Sequence, residues 1–179
     1  MPRVLLTAML LVATLTAPVR ALHGQRGAAA RPRPENAVSL VGGKLAWGKL
    51  VLGMTVKEVE SVLHAGLVFR PGGGAGCTGP EAEVEWQKQR ATLTFSGAEA
   101  DSRLVDIFVP FLTPRDLPEV VTALKKQVPV LRYEPSPHEV SPISEKDNLK
   151  PLYVLRDDAQ QGVLIGPDEG LWISRGCWD

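Results

Sequence analysis

The sequence has few residues of the kinds that carry metal or redox chemistry. Its 179 residues include two cysteines, Cys77 and Cys177, and three histidines, His23, His64 and His138. They form no Cys-x-x-Cys, His-x-x-x-His or mixed Cys/His cluster, so the common zinc and thiol-redox patterns are missing. A phosphate-binding Gly-Lys-Ser/Thr loop and a Gly-x-Ser-x-Gly nucleophile motif are missing too. We therefore expect no metal, no cofactor and no catalytic centre.

The chain also lacks an excess of basic charge. It has 20 Lys+Arg and 20 Asp+Glu, and five of the arginines precede Glu35, where there is no acid. The remaining residues therefore carry 15 bases and 20 acids, a formal net charge of −5. A nucleic-acid binder needs a basic face to meet phosphates, so we expect no nucleic-acid partner. The 44% hydrophobic and 22% charged residues are ordinary for a globular domain.

No hydrophobic run is long enough to cross a membrane, which takes about 20 residues. The longest lies at 4–15, directly after Arg3, and small residues lead to Ala21. This pattern is typical of a secretory signal peptide, here residues 1–21, and no cysteine lies near the cut for lipidation. Residues 22–38 are rich in Ala, Pro and Arg and are predicted to form a flexible tether. We expect an exported protein, periplasmic or extracellular, with no stable membrane span.

Export places the two cysteines in an oxidising compartment, where an even number favours pairing. We predict a Cys77–Cys177 disulfide, which would tie the C-terminal strand to a glycine-rich loop in the first half. The alternative, a catalytic or redox thiol, has no histidine near either cysteine to support it.

A strong helix signal begins at Thr55. Thr55 and Glu58 have the spacing of a capping box, in which each side chain accepts a hydrogen bond from the other residue's backbone amide. Apolar residues then follow helical spacing, and Gly66 is a natural stop. The sequence predicts a helix over 56–65.

Strands are predicted on both sides of a second helix. Alternating or apolar runs indicate strands at 81–87, 91–95 and 104–109, with a hairpin link at 88–90. Asp116 begins the second helix, which Pro129 ends, and the proline-rich residues 134–151 form a long loop. Three further strands are predicted at 152–156, 162–165 and 171–175.

The order of these elements predicts an α+β fold. It consists of two helix-plus-antiparallel-meander units, with the helices packed on one face of the sheet. The α+β domain spans residues 39–179 and divides into sub-units 45–112 and 113–179.

The segment Gly53-Met54-Thr55-x-x-Glu58-Val59-x-x-x-Leu63 resembles the opening helix of the small outer-membrane-assembly lipoproteins (SmpA/OmlA). It also resembles the tandem helix-plus-sheet modules of the beta-lactamase inhibitory proteins. The similarity covers about a dozen residues and consists of a helix cap and an amphipathic face. It implies an exported, non-enzymatic, partner-binding module.

An acidic stripe is the one constellation with chemical interest. Glu81, Glu83 and Glu85 share one strand face, because side chains alternate along a strand. Their spacing of about 7 Å would suit a glycosidase carboxylate pair, and they lie beside threonines that favour a solvated face. The stripe is a candidate docking patch for a partner.

The four tryptophans have different expected roles. Trp86 and Trp172 lie in strands and are expected in the core. Trp178 either packs against the disulfide or anchors an interface, and Trp47 precedes the first helix. His64, beside the apolar stripe of the first helix, is expected to be partly buried or capping rather than a catalytic base.

The sequence thus favours a non-enzymatic, disulfide-braced module that binds another extracytoplasmic protein. A secreted inhibitor or immunity-type protein, whose loop plugs a target cleft, is one alternative. A small carboxylate-dependent hydrolase is the other.

Overall fold

In the computed structural model of the chain, the described residues are 33–72, 78–134, 153–156, 161–166 and 168–175. They contain two α-helices, α1 (Val56–Leu63) and α2 (Leu117–Gln127), and a 3-10 helix at Pro34–Ala37. Their eleven strands, in chain order, are β1 (Val38–Val41), β2 (Lys44–Trp47), β3 (Leu50–Val51), β4 (Phe69–Arg70), β5 (Glu81–Trp86), β6 (Gln89–Phe95), β7 (Leu104–Pro110), β8 (Arg132–Glu134), β9 (Tyr153–Arg156), β10 (Gln161–Gly166) and β11 (Gly170–Arg175).

These strands form one large and one small sheet. The large sheet has eight strands in the order β4-β5-β6-β7-β11-β10-β9-β8, and the small sheet has the order β1-β2-β3. Every pairing in both sheets is antiparallel. Helices combined with antiparallel sheets confirm the predicted α+β class.

Alternation along the strands places one face of the large sheet in the core. Leu93 of β6, Ile107 of β7, Ile173 of β11 and Val163 of β10 lie opposite one another in register and are fully buried. The same apolar cluster contains residues of the small sheet and of both helices: Leu45, Trp47, Leu50, Val56, Val59, Val120 and Leu124. Burial of this shared core is the main stabilising contribution to the fold.

Helix α1 begins as the sequence predicts and ends earlier. The Thr55 hydroxyl accepts a hydrogen bond from the Glu58 amide at 3.2 Å, and the Glu58 carboxylate accepts one from the Thr55 amide at 2.7 Å. The capping box is therefore confirmed. The prediction that the helix runs to residue 65 is wrong, because His64 already adopts the left-handed conformation with φ 54° and ends the helix. A left-handed residue cannot continue a right-handed helix.

The hairpin between β5 and β6 turns at Gln87 and Lys88 rather than at 88–90. Both turn residues have positive φ, 50° and 65°, and Trp86 pairs directly with Gln89. Two central residues with positive φ match the right-handed twist of the flanking strands. The sequence contains no glycine at this turn, so the two turn residues could not be identified from composition.

The region before α1 is more structured than its composition suggests. The 3-10 helix and the first residue of β1, residues 34–38, fall inside the segment predicted to be a tether. Glu35 is 1% exposed and accepts a hydrogen bond from the Arg115 guanidinium, just before α2. The buried ion pair and the β1–β2 pairing hold these residues against the folded domain.

Besides the shared core, a glutamine side chain links the two sheets by hydrogen bonds. The Gln161 amide oxygen accepts a hydrogen bond from the Leu45 backbone amide at 2.8 Å, and its nitrogen donates to the Gly43 carbonyl at 2.8 Å. Because Gln161 lies in β10 and Leu45 in β2, these hydrogen bonds add to the apolar packing that holds the small sheet against the large one.

In the second half, α2 and the last three strands lie within a few residues of their predicted bounds. Strand β8 was not predicted, and its last residue, Glu134, falls in the segment predicted as a loop. Several predicted features lie outside the described residues: the rest of that loop, the signal peptide, Cys77, Cys177, Trp178, His23 and His138. Among the helices that are described, none has the length and apolar character needed to cross a membrane.

Candidate binding surface

The face of the large sheet opposite the core, here called the outer face, carries the sequence-predicted acidic stripe. Directly paired residues point to the same side of a sheet, so the register defines rows across this face. One row contains Glu83, Thr92, Phe108, Trp172 and Leu164. A neighbouring row contains Glu81, Thr94, Asp106 and Ser174.

Two aromatic rings stack at the centre of the outer face. Phe108 of β7 and Trp172 of β11 have ring centroids 4.5 Å apart and an interplanar angle of 29°. Both side chains are half-buried, whereas their neighbours Leu171 and Ile173 are fully buried on the other face. The prediction that Trp172 lies in the core is therefore wrong, because the period of two assigns Leu171 and Ile173 to the core and Trp172 to the outer face.

The acidic stripe is only partly solvated. The Arg70 guanidinium lies 2.6 Å from the Glu83 carboxylate and 3.6 Å from that of Glu81. The side chain of Glu81 is 13% exposed, while that of Glu83 is 64% exposed. The prediction that the whole stripe is solvated is therefore wrong for Glu81, because β4 places Arg70 beside it. Glu83 and Glu85 remain exposed on the outer face.

Asp106 is a titratable residue that sequence reasoning missed. It is 9% exposed, and burial, followed by the nearby negative charge of Glu81, raises its pKa to about 7. A hydrogen bond with Ser174 and one with the Ile107 backbone oppose this rise. One signal was available in the sequence, because Asp106 is the only polar residue in β7. A lone acid in an apolar strand indicates a special environment.

Trp47, Trp86 and His64 lie away from the outer face. Trp86 packs against the core as predicted, and Trp47 is fully buried in β2. His64 is exposed rather than partly buried, and it occupies the C-cap position, where its backbone conformation ends α1. In the described part of the chain, no group of three His, Cys, Asp or Glu side chains could hold a metal ion.

The fold and this surface define an α+β protein whose large antiparallel sheet carries a stacked aromatic pair and exposed acids on its outer face. Comparisons with known family profiles, with curated proteins and with solved structures find no match to this chain.

Proposed function

We propose that this chain is an exported, non-enzymatic module, braced by a Cys77–Cys177 disulfide, that binds another extracytoplasmic protein through the outer face. The observation that carries this proposal is the stacked pair Phe108–Trp172 on that face. Large aromatic side chains that are not absorbed by a core are the residues most enriched in binding hot spots.

The charge around the aromatic pair indicates the chemistry of the partner. Glu83 lies in the same row as the pair, and Glu85 is exposed farther along β5. Arg70 compensates part of this negative charge. A partner with an apolar centre and a basic rim would complement the surface, and its charges would mainly accelerate association.

The proposal includes two structural units, each made of a helix followed by four strands. The chain order supports it, since α1 precedes β4–β7 and α2 precedes β8–β11. The sheet order supports it as well, because β7 and β11, the last strand of each set, lie side by side at the centre. This arrangement agrees with the resemblance to tandem helix-plus-sheet modules that the Thr55–Glu58 capping box first suggested.

The binding proposal is tested by capture of partners from the extracytoplasmic fraction with purified wild-type protein and three variants. Phe108→Thr combined with Trp172→Thr removes the aromatic pair and keeps β-branched side chains that suit a strand. Glu83→Arg reverses one exposed charge, and Lys126→Gln alters an exposed residue of α2 as the matched control. Proteins in the captured fractions are identified by mass spectrometry.

We expect one partner to be retained by the wild type and by Lys126→Gln and to be lost with the aromatic double variant. Glu83→Arg should slow its association and weaken the salt dependence of the rate. Equal capture by all four proteins would overturn the assignment of the outer face, provided that their melting curves coincide.

The proposal of export has its own test. N-terminal sequencing of the exported protein should give a mature chain that begins near Leu22, because the charged and apolar segment before it has the pattern of a cleaved signal peptide. An intact Met1 on a cytoplasmic product would contradict this prediction.

One observation, the buried Asp106, favours a different candidate function, that of a carboxylate-dependent hydrolase. Asp106 and Glu81 are two strands apart, about 9.6 Å between backbones, which is compatible with an acid and base pair. A catalytic carboxyl must touch its substrate, however, and Asp106 is 9% exposed. Turnover of a glycan that is lost in both Asp106→Asn and Glu81→Gln, with the fold intact, would establish the hydrolase and overturn the non-enzymatic proposal.

A further inference from the structure

A pocket at one end of the large sheet is lined by three cationic side chains. Its volume is about 370 Å³. The residues that line it are Lys44, Gly53, Arg103, Leu104, Val105 and Arg175. None of them belongs to the two rows described on the outer face, so this site is independent of the proposed function.

The fold brings these cations together from three distant parts of the sequence. Lys44 is the first residue of β2, and Arg175 is the last residue of β11. Arg103 immediately precedes β7 and forms an isolated bridge with Thr55, the residue that caps α1. The pocket therefore lies where the small sheet, the start of α1 and the end of the large sheet meet.

Two of the cations have no carboxylate partner among the described residues. Arg103 donates a hydrogen bond from Nη1 to the Gly53 carbonyl at 3.0 Å, which leaves its other guanidinium N–H groups for a ligand. Neither Lys44 nor Arg103 has a described carboxylate oxygen within 4.0 Å. Cationic side chains that line one pocket without forming ion pairs produce a positive field that attracts anions.

Glu58, an acid that the charges of Arg103 and Lys44 reach, is already engaged by the helix cap. Its Oε2 accepts hydrogen bonds from the Thr55 amide at 2.7 Å and from the Thr55 hydroxyl at 3.0 Å. These hydrogen bonds lower the pKa of Glu58, and the charges of Arg103 and Lys44 lower it further. The carboxylate therefore experiences the field of both cations without forming an ion pair with either.

The backbone amides at the start of α1 are not available to a ligand. The Val56 amide donates to the Ser102 carbonyl at 3.0 Å, and the Lys57 amide donates to that of Ala100 at 3.2 Å. The amides of Thr55 and Glu58 are used in the capping box. An anion in this pocket would be held by side chains, not by the helix terminus.

We propose that this pocket binds a tetrahedral oxyanion, the phosphate or sulfate ester group of a small organic molecule such as a sugar. The planar Arg103 guanidinium suits two oxygens of a tetrahedral oxyanion, and the Lys44 ammonium supplies a point charge. The volume lies at the lower end of the range for small-molecule sites, which leaves room for an organic group as well as the anion.

The test is a calorimetric titration of the full-length mature protein at low ionic strength, with five probes. These are inorganic phosphate, inorganic sulfate, glucose 6-phosphate, glucose 6-sulfate and, as the neutral control, glucose. At about pH 8 the phosphate ester carries close to two negative charges. The protein variants are Lys44→Gln and Arg103→Gln, with Lys126→Gln on α2 as the charge-matched control.

We expect saturable binding of at least one sugar ester, tighter than that of the inorganic anions, and no binding of glucose. Lys44→Gln should weaken binding about tenfold, which corresponds to about 1.4 kcal/mol, and Lys126→Gln should leave it unchanged. A preference for the phosphate ester or for the sulfate ester identifies the natural group. Equal binding of both esters, which differ in charge at this pH, identifies a site that recognises the tetrahedral oxyanion rather than its total charge.

Lys44→Gln decides the result, because Lys44 makes no described hydrogen bond that the fold would lose. Arg103→Gln removes the bond to Gly53, so its melting curve is compared with that of the wild type. The proposal is overturned if no ester binds saturably, or if Lys44→Gln and Lys126→Gln bind alike. Either result would leave the aromatic binding surface untouched.

Discussion

At the scale of single residues, Asp106 gives the chain a pH-dependent stability. Its pKa is about 7 in the folded protein, well above the usual value for an aspartate. Between about pH 4 and pH 7 the folded state therefore holds a proton that the unfolded state has released, and folding stability decreases as pH rises. Above about pH 7 the Asp106 carboxylate is charged in both the folded and the unfolded state. The folded state then bears the full cost of burying that charge.

Asp106→Asn should stabilise the protein at high pH. Each pKa unit corresponds to about 1.4 kcal/mol, so the ionisation of Asp106 costs the folded state at most about 4 kcal/mol. Asparagine stays neutral at every pH, so urea unfolding should show a gain of about 2 kcal/mol at pH 8 and almost none below about pH 4. Asp101→Asn, at an exposed position, is the control. A gain that is the same at both pH values would contradict the role assigned to Asp106.

A second prediction at the scale of single residues concerns the stability of alanine variants at Gly48. Gly48 and Gly42 have nearly equal φ values, +60° and +57°, so alanine at either position carries similar backbone strain. A Cβ at Gly48 would lie 2.8 Å from Nε1 of Trp86, whereas a Cβ at Gly42 would meet nothing within 4 Å. Gly48→Ala should therefore be less stable than Gly42→Ala by about 1 kcal/mol.

Thermal unfolding followed by tryptophan fluorescence measures that difference, and it should also report the displaced Trp86 ring in the folded state. Equal stabilities of the two alanine variants would show that the indole moves aside without a penalty.

At the scale of elements, the Thr55–Glu58 cap determines where α1 begins. Thr55→Ala removes the acceptor of the Glu58 amide and should lower the free energy of unfolding by about 1 kcal/mol. Thr55→Ser keeps the hydroxyl and should lose less than half of that. Chemical denaturation of the three proteins provides the comparison, and an unchanged midpoint in Thr55→Ala would mean that this cap does not stabilise the helix.

Local patterns predicted the elements whose signals are contained in a few consecutive residues. The capping box located α1, and alternation located β5, because both depend on chemistry within one turn or one strand. The small sheet was missed because β1, β2 and β3 have only two to four residues each and follow a segment whose composition resembles a linker. The glycine pair at 42–43, between β1 and β2, was the available hairpin signal.

The site was less predictable than the fold, because its properties depend on residues that are distant in sequence. Glu83 was identified from alternation, but its ion pair depends on Arg70 in the two-residue strand β4, which has no pattern of its own. Trp172 could have been assigned to the outer face by counting from Leu171 and Ile173. The burial of Asp106 required knowledge of the strands on both sides of β7.

At the scale of the whole molecule, the Cys77–Cys177 disulfide stays a prediction, because both cysteines lie outside the described residues. Glu81 and Ser174 lie in one row, three strand spacings or about 14 Å apart. Cys77 lies four residues before Glu81, and Cys177 lies three residues after Ser174. Seven residues can span about 23 Å when extended, which exceeds this separation, so the register does not exclude the bridge.

Cys177→Ser should lower the melting temperature by several degrees, because a native disulfide typically contributes about 2–4 kcal/mol. The reduced wild type should melt close to the variant. Quantitative thiol labelling of the unfolded, unreduced protein counts the free thiols directly. Two labelled thiols per chain would show that the bridge does not form.

The order of strands in the large sheet also bears on how the protein behaves at high concentration. The outermost strands of that sheet are β4, with two residues, and β8, with three. An exposed edge strand presents unpaired backbone groups that can recruit a second chain, and short edges limit this recruitment. The long strands β6, β7, β10 and β11 are all paired on both sides in the interior of the sheet. Within the described part of the large sheet, β4 and β8 therefore each offer only a short edge to a second chain.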